Sequence, residues 1–165
     1  MRLFIAIDLS QEMKKALVGT MHDLKQQGTA GSYAPMQNLH ITLTFIGETS
    51  EGELVKEVMR QIPLEKSRLT FSEFMFFQDT LVVGIKGNQK IKKYVADLRK
   101  ALKEARIPCD SKKFEPHVTL VRRVKGKRPS GMKVPDADMT VTRISLMRSD
   151  VKDGKRVYKE LFAVT

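Results

Sequence analysis

The chain of 165 residues is long enough to bury a sizeable core without metals or disulfides. Its hydrophobic content of 41% excludes wholesale disorder, and its single cysteine, Cys109, excludes an internal disulfide and a cysteine-rich zinc site. No apolar run is long enough for a membrane-spanning helix, and the single cysteine is typical of a reducing intracellular compartment, so we expect a cytoplasmic protein. Thirty lysines and arginines against 19 acidic residues give a net charge of +11, which favours an anionic partner such as a nucleic acid.

The N-terminal half is predicted to alternate strands and helices. The apolar run 3–7 predicts a buried strand. Ser10 can cap the helix that follows, and four apolar residues at helical spacing predict the buried face of this helix: Met13, Leu17, Met21 and Leu24. A loop is predicted over 28–35, then a half-buried strand over 39–47 and a second helix over 51–61.

The C-terminal half is predicted to contain more strands than helices. Its expected elements are strands over 69–77 and 81–85, a helix over 89–105, a strand over 116–121, and strands over 140–147 and 157–164. Most neighbouring strands are close in sequence, which predicts an α+β fold with largely antiparallel sheets. No linker interrupts the pattern, so we expect one domain over 1–165.

One short frame occurs twice on predicted strands. His40 is followed two residues later by Thr42, and His117 is followed two residues later by Thr119. Residues i and i+2 of a strand point to the same face, so each histidine shares a face with its threonine while the apolar residues between them enter the core. Two such strands related by a pseudo-two-fold axis would bring two imidazoles and two hydroxyls into one cleft.

Such a cleft suits phosphate chemistry without a metal. One imidazole can remove a proton from water while the other protonates a leaving alkoxide, provided that they stand on opposite sides of phosphorus. The threonine hydroxyls can donate hydrogen bonds to the non-bridging oxygens. Three alternatives remain open: ordinary strands with a polar edge, a zinc site that lacks an obvious third ligand, and a binding module without catalysis. The third histidine, His22, is expected on the surface of the first helix.

The chain resembles the 2H phosphoesterases, and within them the bacterial and archaeal RNA 2′,3′-cyclic phosphodiesterases, historically called 2′-5′ RNA ligases. The segments that carry the resemblance span essentially the whole chain: 1–7, 38–48, 114–122 and 158–161. The resemblance implies a bilobal, pseudo-two-fold-symmetric α+β fold, with antiparallel sheets around a central groove and helices on the outside.

The resemblance also implies an activity and its residues. The expected reaction is metal-independent and cofactor-free hydrolysis of a terminal 2′,3′-cyclic phosphate on RNA to a 2′-phosphate, with weak reverse 2′-5′ ligation. His40 is the expected proton donor and His117 the expected proton acceptor, while Thr42, Thr119 and Arg122 are expected to bind the phosphate. RNA ends, including tRNA fragments, or small cyclic nucleotides are the expected substrates. We expect a monomer and no membrane partner.

Further residues are candidates for contact with the RNA. Between 122 and 133 the chain has six basic residues and no acidic one: Arg122, Arg123, Lys125, Lys127, Arg128 and Lys133. This segment follows the second motif and is predicted to attract the RNA backbone. Many relatives carry a tryptophan before the first motif, where this chain has Tyr33, a residue that can stack on a base or pack on the core. Strand alternation places Phe45 on the core side.

Overall fold

The computed structural model describes residues 1–165. Its helices and strands, in chain order, are β1 (Arg2–Asp8), α1 (Gln11–Gln26), β2 (Ala30–Tyr33), a 3₁₀ turn (Met36–Asn38), β3 (His40–Glu48), α2 (Gly52–Gln61), β4 (Ser67–Phe77), β5 (Thr80–Lys86), α3 (Gln89–Glu104), β6 (His117–Lys125), β7 (Asp138–Val141), β8 (Ile144–Lys152) and β9 (Lys155–Val164). All three α-helices fall short of the length and hydropathy that crossing a membrane requires. The α+β class is confirmed.

All strands join one antiparallel sheet of nine strands. The order along the sheet is β7-β4-β5-β6-β3-β1-β8-β9, and β2 pairs with β6 beside this path. The sheet has two halves of four strands, which meet where β3 lies beside β6. Only Ile41 and Val118 pair between these two strands, so the halves diverge from a single point of contact. The predicted pair of antiparallel sheets is therefore continuous at its centre.

The two halves repeat the same local architecture. In each half a strand leads into a helix of 16 residues and then into a strand of nine residues that begins with a histidine. The first copy is β1-α1-β3 and the second is β5-α3-β6. The burial pattern is the same over the first six positions of β3 and β6. The two histidines therefore occupy equivalent positions of a pseudo-two-fold arrangement.

The helices form as their sequence patterns predict. The Ser10 side chain accepts a hydrogen bond from the backbone N–H of Met13 at 3.2 Å and so caps α1. The predicted apolar stripe of α1 is buried, and it enters a core cluster of 32 residues. Each fully buried leucine in this cluster contributes about 1.5–3 kcal/mol relative to an exposed one.

Two strand predictions are wrong in ways that depend on tertiary pairing. The predicted loop 28–35 contains β2, whose Ala-Gly-Ser-Tyr sequence lacks the apolar alternation of a strand and is held by backbone pairing to β6. The predicted strand 140–147 is divided between β7 and β8. β7 pairs with β4 in one half of the sheet and β8 pairs with β1 in the other, and the chain crosses between them at Thr142 and Arg143.

Candidate active site

The four side chains of the repeated frame share one face of the sheet. His40 and His117 begin the two central strands, and the pairing of Ile41 with Val118 fixes how these strands meet. Because the strands are antiparallel, this register sets Thr119 across from His40 and Thr42 across from His117. Ile41 and Val118 are fully buried, so the histidines and threonines occupy the opposite, groove-lining face.

The backbone orients both imidazoles in the same way. Nδ1 of His40 lies 2.6 Å from the carbonyl oxygen of Asn38, and Nδ1 of His117 lies 2.6 Å from that of Glu115. A carbonyl oxygen only accepts hydrogen bonds, so Nδ1 is the protonated nitrogen in each neutral ring. Nε2 is then free to exchange a proton. In His40 it lies 2.8 Å from Oγ1 of Thr42.

Aromatic side chains enclose the two histidines unequally. The ring of His40 has Phe4 at 5.2 Å and Tyr158 at 5.3 Å between ring centroids. The ring of His117 has Phe77 at 4.9 Å. Burial lowers the pKa of His40 below the ordinary value of a histidine, although the hydrogen bond to the Asn38 carbonyl opposes this effect.

Positive charge from β6 also reaches His40. Besides burial, the charges of Arg122 and His117 lower the pKa of His40. The predicted phosphate ligand Arg122 is exposed on β6.

The prediction that Phe45 packs in the core is wrong. The side chain is 48% exposed, and its ring lies 6.1 Å from that of Phe4, which also contacts His40. The register between β1 and β3 shifts by one residue before this point, so that Thr44 is buried and Phe45 returns to the groove face.

The same shift occurs in β6. There Leu120 and Val121 are both buried, and Arg122 is exposed at the position equivalent to Phe45. A bulge of this kind places two consecutive residues of a strand in the core. In β6 both of these residues are apolar, so the sequence itself indicates the bulge. In β3 the second of the two buried residues is Thr44, and its polar side chain made the register shift impossible to predict from the hydrophobic pattern.

Asp110 holds the bulge of β3 in place. Its carboxylate accepts a hydrogen bond from Oγ1 of Thr44 at 2.9 Å, and its backbone N–H donates to the carbonyl oxygen of Phe45 at 3.0 Å. Arg99 pairs with the same carboxylate at 2.9 Å. Because a buried threonine hydroxyl requires a partner, this contact fixes Phe45 on the groove face.

The candidate RNA-binding residues differ in whether their side chains already contact other residues of the protein. Arg123 and Lys125 lie on β6 and Lys127 in the loop that follows, all exposed. Arg128 is engaged locally, since its guanidinium lies 4.2 Å from the centre of the Phe76 ring and donates to the carbonyl oxygen of Gln78 at 2.5 Å. These positions leave Lys125 and Lys127 as the free cations nearest the end of β6.

Two further residues considered in the sequence analysis are Tyr33, whose side chain is held by its neighbours, and His22, which lies on a helix. The hydroxyl of Tyr33 donates to the carbonyl oxygen of Thr29 at 2.8 Å, and Lys25 lies over its ring at 4.7 Å. Burial raises the pKa of the Tyr33 phenol. His22 is exposed on α1, as expected. No three His, Cys, Asp or Glu side chains come together in a way that could hold a metal ion.

Known proteins share this sequence and fold. The chain is 26% identical to the RNA 2′,3′-cyclic phosphodiesterase of Thermotoga maritima over 98% of this chain and 94% of the relative. It is 30% identical to the protein of the same name from Thermus thermophilus, over 98% of this chain and 88% of the relative. The crystal structure of apo LigT from E. coli matches with a TM-score of 0.81 and 25% identity, over 99% and 95% of the two chains.

A family model settles the relationship. The model of the 2′-5′ RNA ligase superfamily matches residues 13–153, which include both histidine frames and most of the sheet. The resemblance to the 2H phosphoesterases is thereby confirmed. The chain belongs to the 2′-5′ RNA ligase superfamily.

Proposed function

We propose that the chain hydrolyses the 2′,3′-cyclic phosphate at the 3′ end of an RNA to a 2′-phosphate. The observation that carries the proposal is the pair of imidazoles on one groove face, each with Nδ1 bound to a carbonyl oxygen and Nε2 available for proton transfer. Relatives named RNA 2′,3′-cyclic phosphodiesterase support this substrate class.

The proposed reaction is one in-line displacement at phosphorus. Nε2 of His117 accepts a proton from water, whose oxygen bonds to phosphorus as the P–O3′ bond breaks, and protonated Nε2 of His40 gives its proton to O3′. The hydroxyls of Thr42 and Thr119 and the guanidinium of Arg122 stabilise the charge that grows on the non-bridging oxygens. Every step uses side chains of this protein, without a metal or cofactor.

The same mechanism would also permit weak ligation. A 5′-hydroxyl of a second RNA that replaces water at phosphorus would form a 2′-5′ phosphodiester as O3′ leaves. Water is present in far larger amounts, so hydrolysis prevails. A cytoplasmic location and a monomeric state remain predictions from the sequence, as does the use of tRNA fragments as substrates.

Incubation with an end-labelled oligoribonucleotide that bears a 2′,3′-cyclic phosphate tests the proposal. We expect the end to become sensitive to phosphatase, with and without EDTA. Tight binding of the same RNA without any turnover would instead identify a binding module without catalysis. Activity that EDTA abolishes and zinc restores would support the zinc alternative.

Phe45 is expected to stack on the base of the terminal nucleotide. Its exposed ring lies on the groove face beside the aromatic residues around His40, and stacking on one base contributes about 1–3 kcal/mol. We therefore expect Phe45→Ala to raise the KM for a 2′,3′-cyclic nucleotide by about 5–150-fold. Phe45→Tyr should preserve the KM, because the ring remains.

Leu54→Ala provides a matched control for this substitution. Leu54 is also an exposed apolar residue, but it lies on the outer helix α2. The KM of this control should not change. An unchanged KM for Phe45→Ala would show that the ring does not contact the base.

Lys125 and Lys127 are expected to bind the RNA chain upstream of the cyclic end. Replacing both with glutamine should raise the KM for a cyclic-ended oligonucleotide and reduce its salt dependence, by about 0.7 in log–log slope for each lost phosphate contact. Hydrolysis of a cyclic mononucleotide should be nearly unaffected.

The matched control replaces two lysines on the outer face of α3, Lys92 and Lys100, with glutamine. Both are exposed, so the net charge falls equally without a change near the groove. An equal loss of activity on RNA and mononucleotide in the Lys125/Lys127 variant would contradict this assignment. Arg128 is left intact because it binds Phe76 and Gln78.

A further inference from the structure

The two histidines differ in the residue that lies across from them. On the outer side of β3, Asp8 of β1 pairs with His40. At the equivalent position of the other half, Gly84 of β5 pairs with His117. Residues directly opposite on antiparallel strands point to the same face, with Cβ atoms about 4.5–5.5 Å apart. Through this pairing, β1 places a carboxylate beside His40, whereas β5 offers His117 a residue without a side chain.

Packing on each side maintains this difference. A Cβ atom on Gly84 would lie 2.5 Å from Oγ of Ser72 and 3.0 Å from Cε of Met75, so a carboxylate does not fit there without a shift of β4. Asp8 is held by Lys14, whose Nζ lies 2.8 Å from Oδ1 and whose side chain is only 6% exposed. This ion pair ties the carboxylate to α1.

Most of the other groups around His40 favour its neutral form, whereas the Asn38 carbonyl, which accepts a hydrogen bond from Nδ1, favours the protonated form. Burial lowers its pKa, and the cations Arg122 and His117 of β6 lower it further. From β9, Tyr158 contributes an uncharged ring at 5.3 Å. Asp8 is the acidic side chain that opposes these effects and raises the pKa of His40. A proton donor needs this opposing charge, because a donor that is already neutral has no proton to give.

We infer that Asp8 keeps the proton on His40 and thereby makes it the donor of an otherwise matched pair. Asp8 acts through the imidazole and is a positioning residue, with Lys14 fixing its carboxylate. The inference deepens the proposed function and depends on it. It explains how two equivalent frames acquire different roles: the half that carries the carboxylate donates the proton, and the half that carries glycine accepts one.

Asp8→Asn tests this inference through two readouts. In an NMR titration of the free protein, the pKa of His40 should fall, and the shift should be modest because Asp8 is 61% exposed. At alkaline pH, where the protonated donor is scarce, hydrolysis of a cyclic nucleotide should slow by about 3–10-fold. At acidic pH, where the unprotonated acceptor is scarce, the rate should be unchanged.

Lys14→Met is the matched control, because it removes the ion pair and leaves the carboxylate. It should leave the pKa of His40 unchanged or raise it. If Asp8→Asn is unstable because buried Lys14 loses its partner, Asp8→Asn/Lys14→Met removes both charges. The double variant should also hydrolyse the cyclic nucleotide more slowly than the unmodified protein at alkaline pH. The reason is that Asp8 pairs with His40, whereas Lys14 contacts Asp8.

The outcomes separate this inference from the proposed function. An unchanged pKa of His40 in Asp8→Asn, with both histidines still required for turnover, overturns the role of Asp8 alone. A rate that rises at acidic pH and holds at alkaline pH makes His40 the proton acceptor and overturns the inference. Turnover that persists without either histidine overturns the proposed function itself.

Discussion

Replacing either His40 or His117 with alanine is expected to lower kcat for a 2′,3′-cyclic nucleotide by about 10²–10⁴-fold, the usual contribution of a positioned acid or base. The reason lies in the shared geometry, since each Nε2 is the proton-exchanging atom on its side of the groove. The double variant should be little slower than either single variant, because the two groups act in the same step. Steady-state rates with a cyclic mononucleotide measure this effect without any contribution from RNA binding.

His22→Ala is the control for these substitutions, because His22 is exposed on α1 and should retain full activity. Thermal unfolding of each variant checks that the fold persists. A bell-shaped pH profile in the unmodified protein should become one-sided when one histidine is lost. Full activity in either single variant would contradict the two-histidine mechanism.

Arg122→Ala is expected to lower kcat by about 10²–10³-fold, as the loss of one preorganised donor does at other sites of developing negative charge. Arg122 is exposed at the groove, and its charge reaches His40. Arg122→Lys should recover only part of the activity, because an ammonium group does not reproduce the two parallel hydrogen bonds of a guanidinium.

The Arg122 substitution should also change a property other than the reaction rate, namely the pKa of His40. The charge of Arg122 lowers the pKa of His40, so its removal should raise that pKa in an NMR titration. Arg123→Ala, at the next position of β6, should leave hydrolysis of a mononucleotide nearly unchanged. Equal losses in the Arg122 and Arg123 variants would mean that the basic strand acts through net charge and not through contact with the phosphate.

The repeated frame could be predicted from the sequence because its geometry is local. A strand places residues i and i+2 on one face in any fold, so His40 with Thr42 and His117 with Thr119 needed only a strand to be brought together in pairs. The helices could also be predicted, because their apolar faces and the Ser10 cap are encoded by residues within a few helical turns of one another.

Features that depend on pairing between strands could not be predicted from the sequence in this way. Phe45 was assigned to the core because strict alternation was assumed, whereas the register shift against β1 turns its ring toward the groove. The strand β2 exists only because β6 offers an edge to it. The neighbours that distinguish the two histidines, Asp8 and Gly84, are set by registers that no periodicity reveals.

The product formed from a cyclic-ended RNA in ¹⁸O-labelled water tests the central claim most directly. If water attacks phosphorus while His40 protonates O3′, the product is a 2′-phosphate that carries one ¹⁸O atom, and neither histidine variant forms it at the normal rate. A 3′-phosphate product would mean that O2′ leaves instead, and this result would contradict the proposed placement of the two imidazoles about the phosphate.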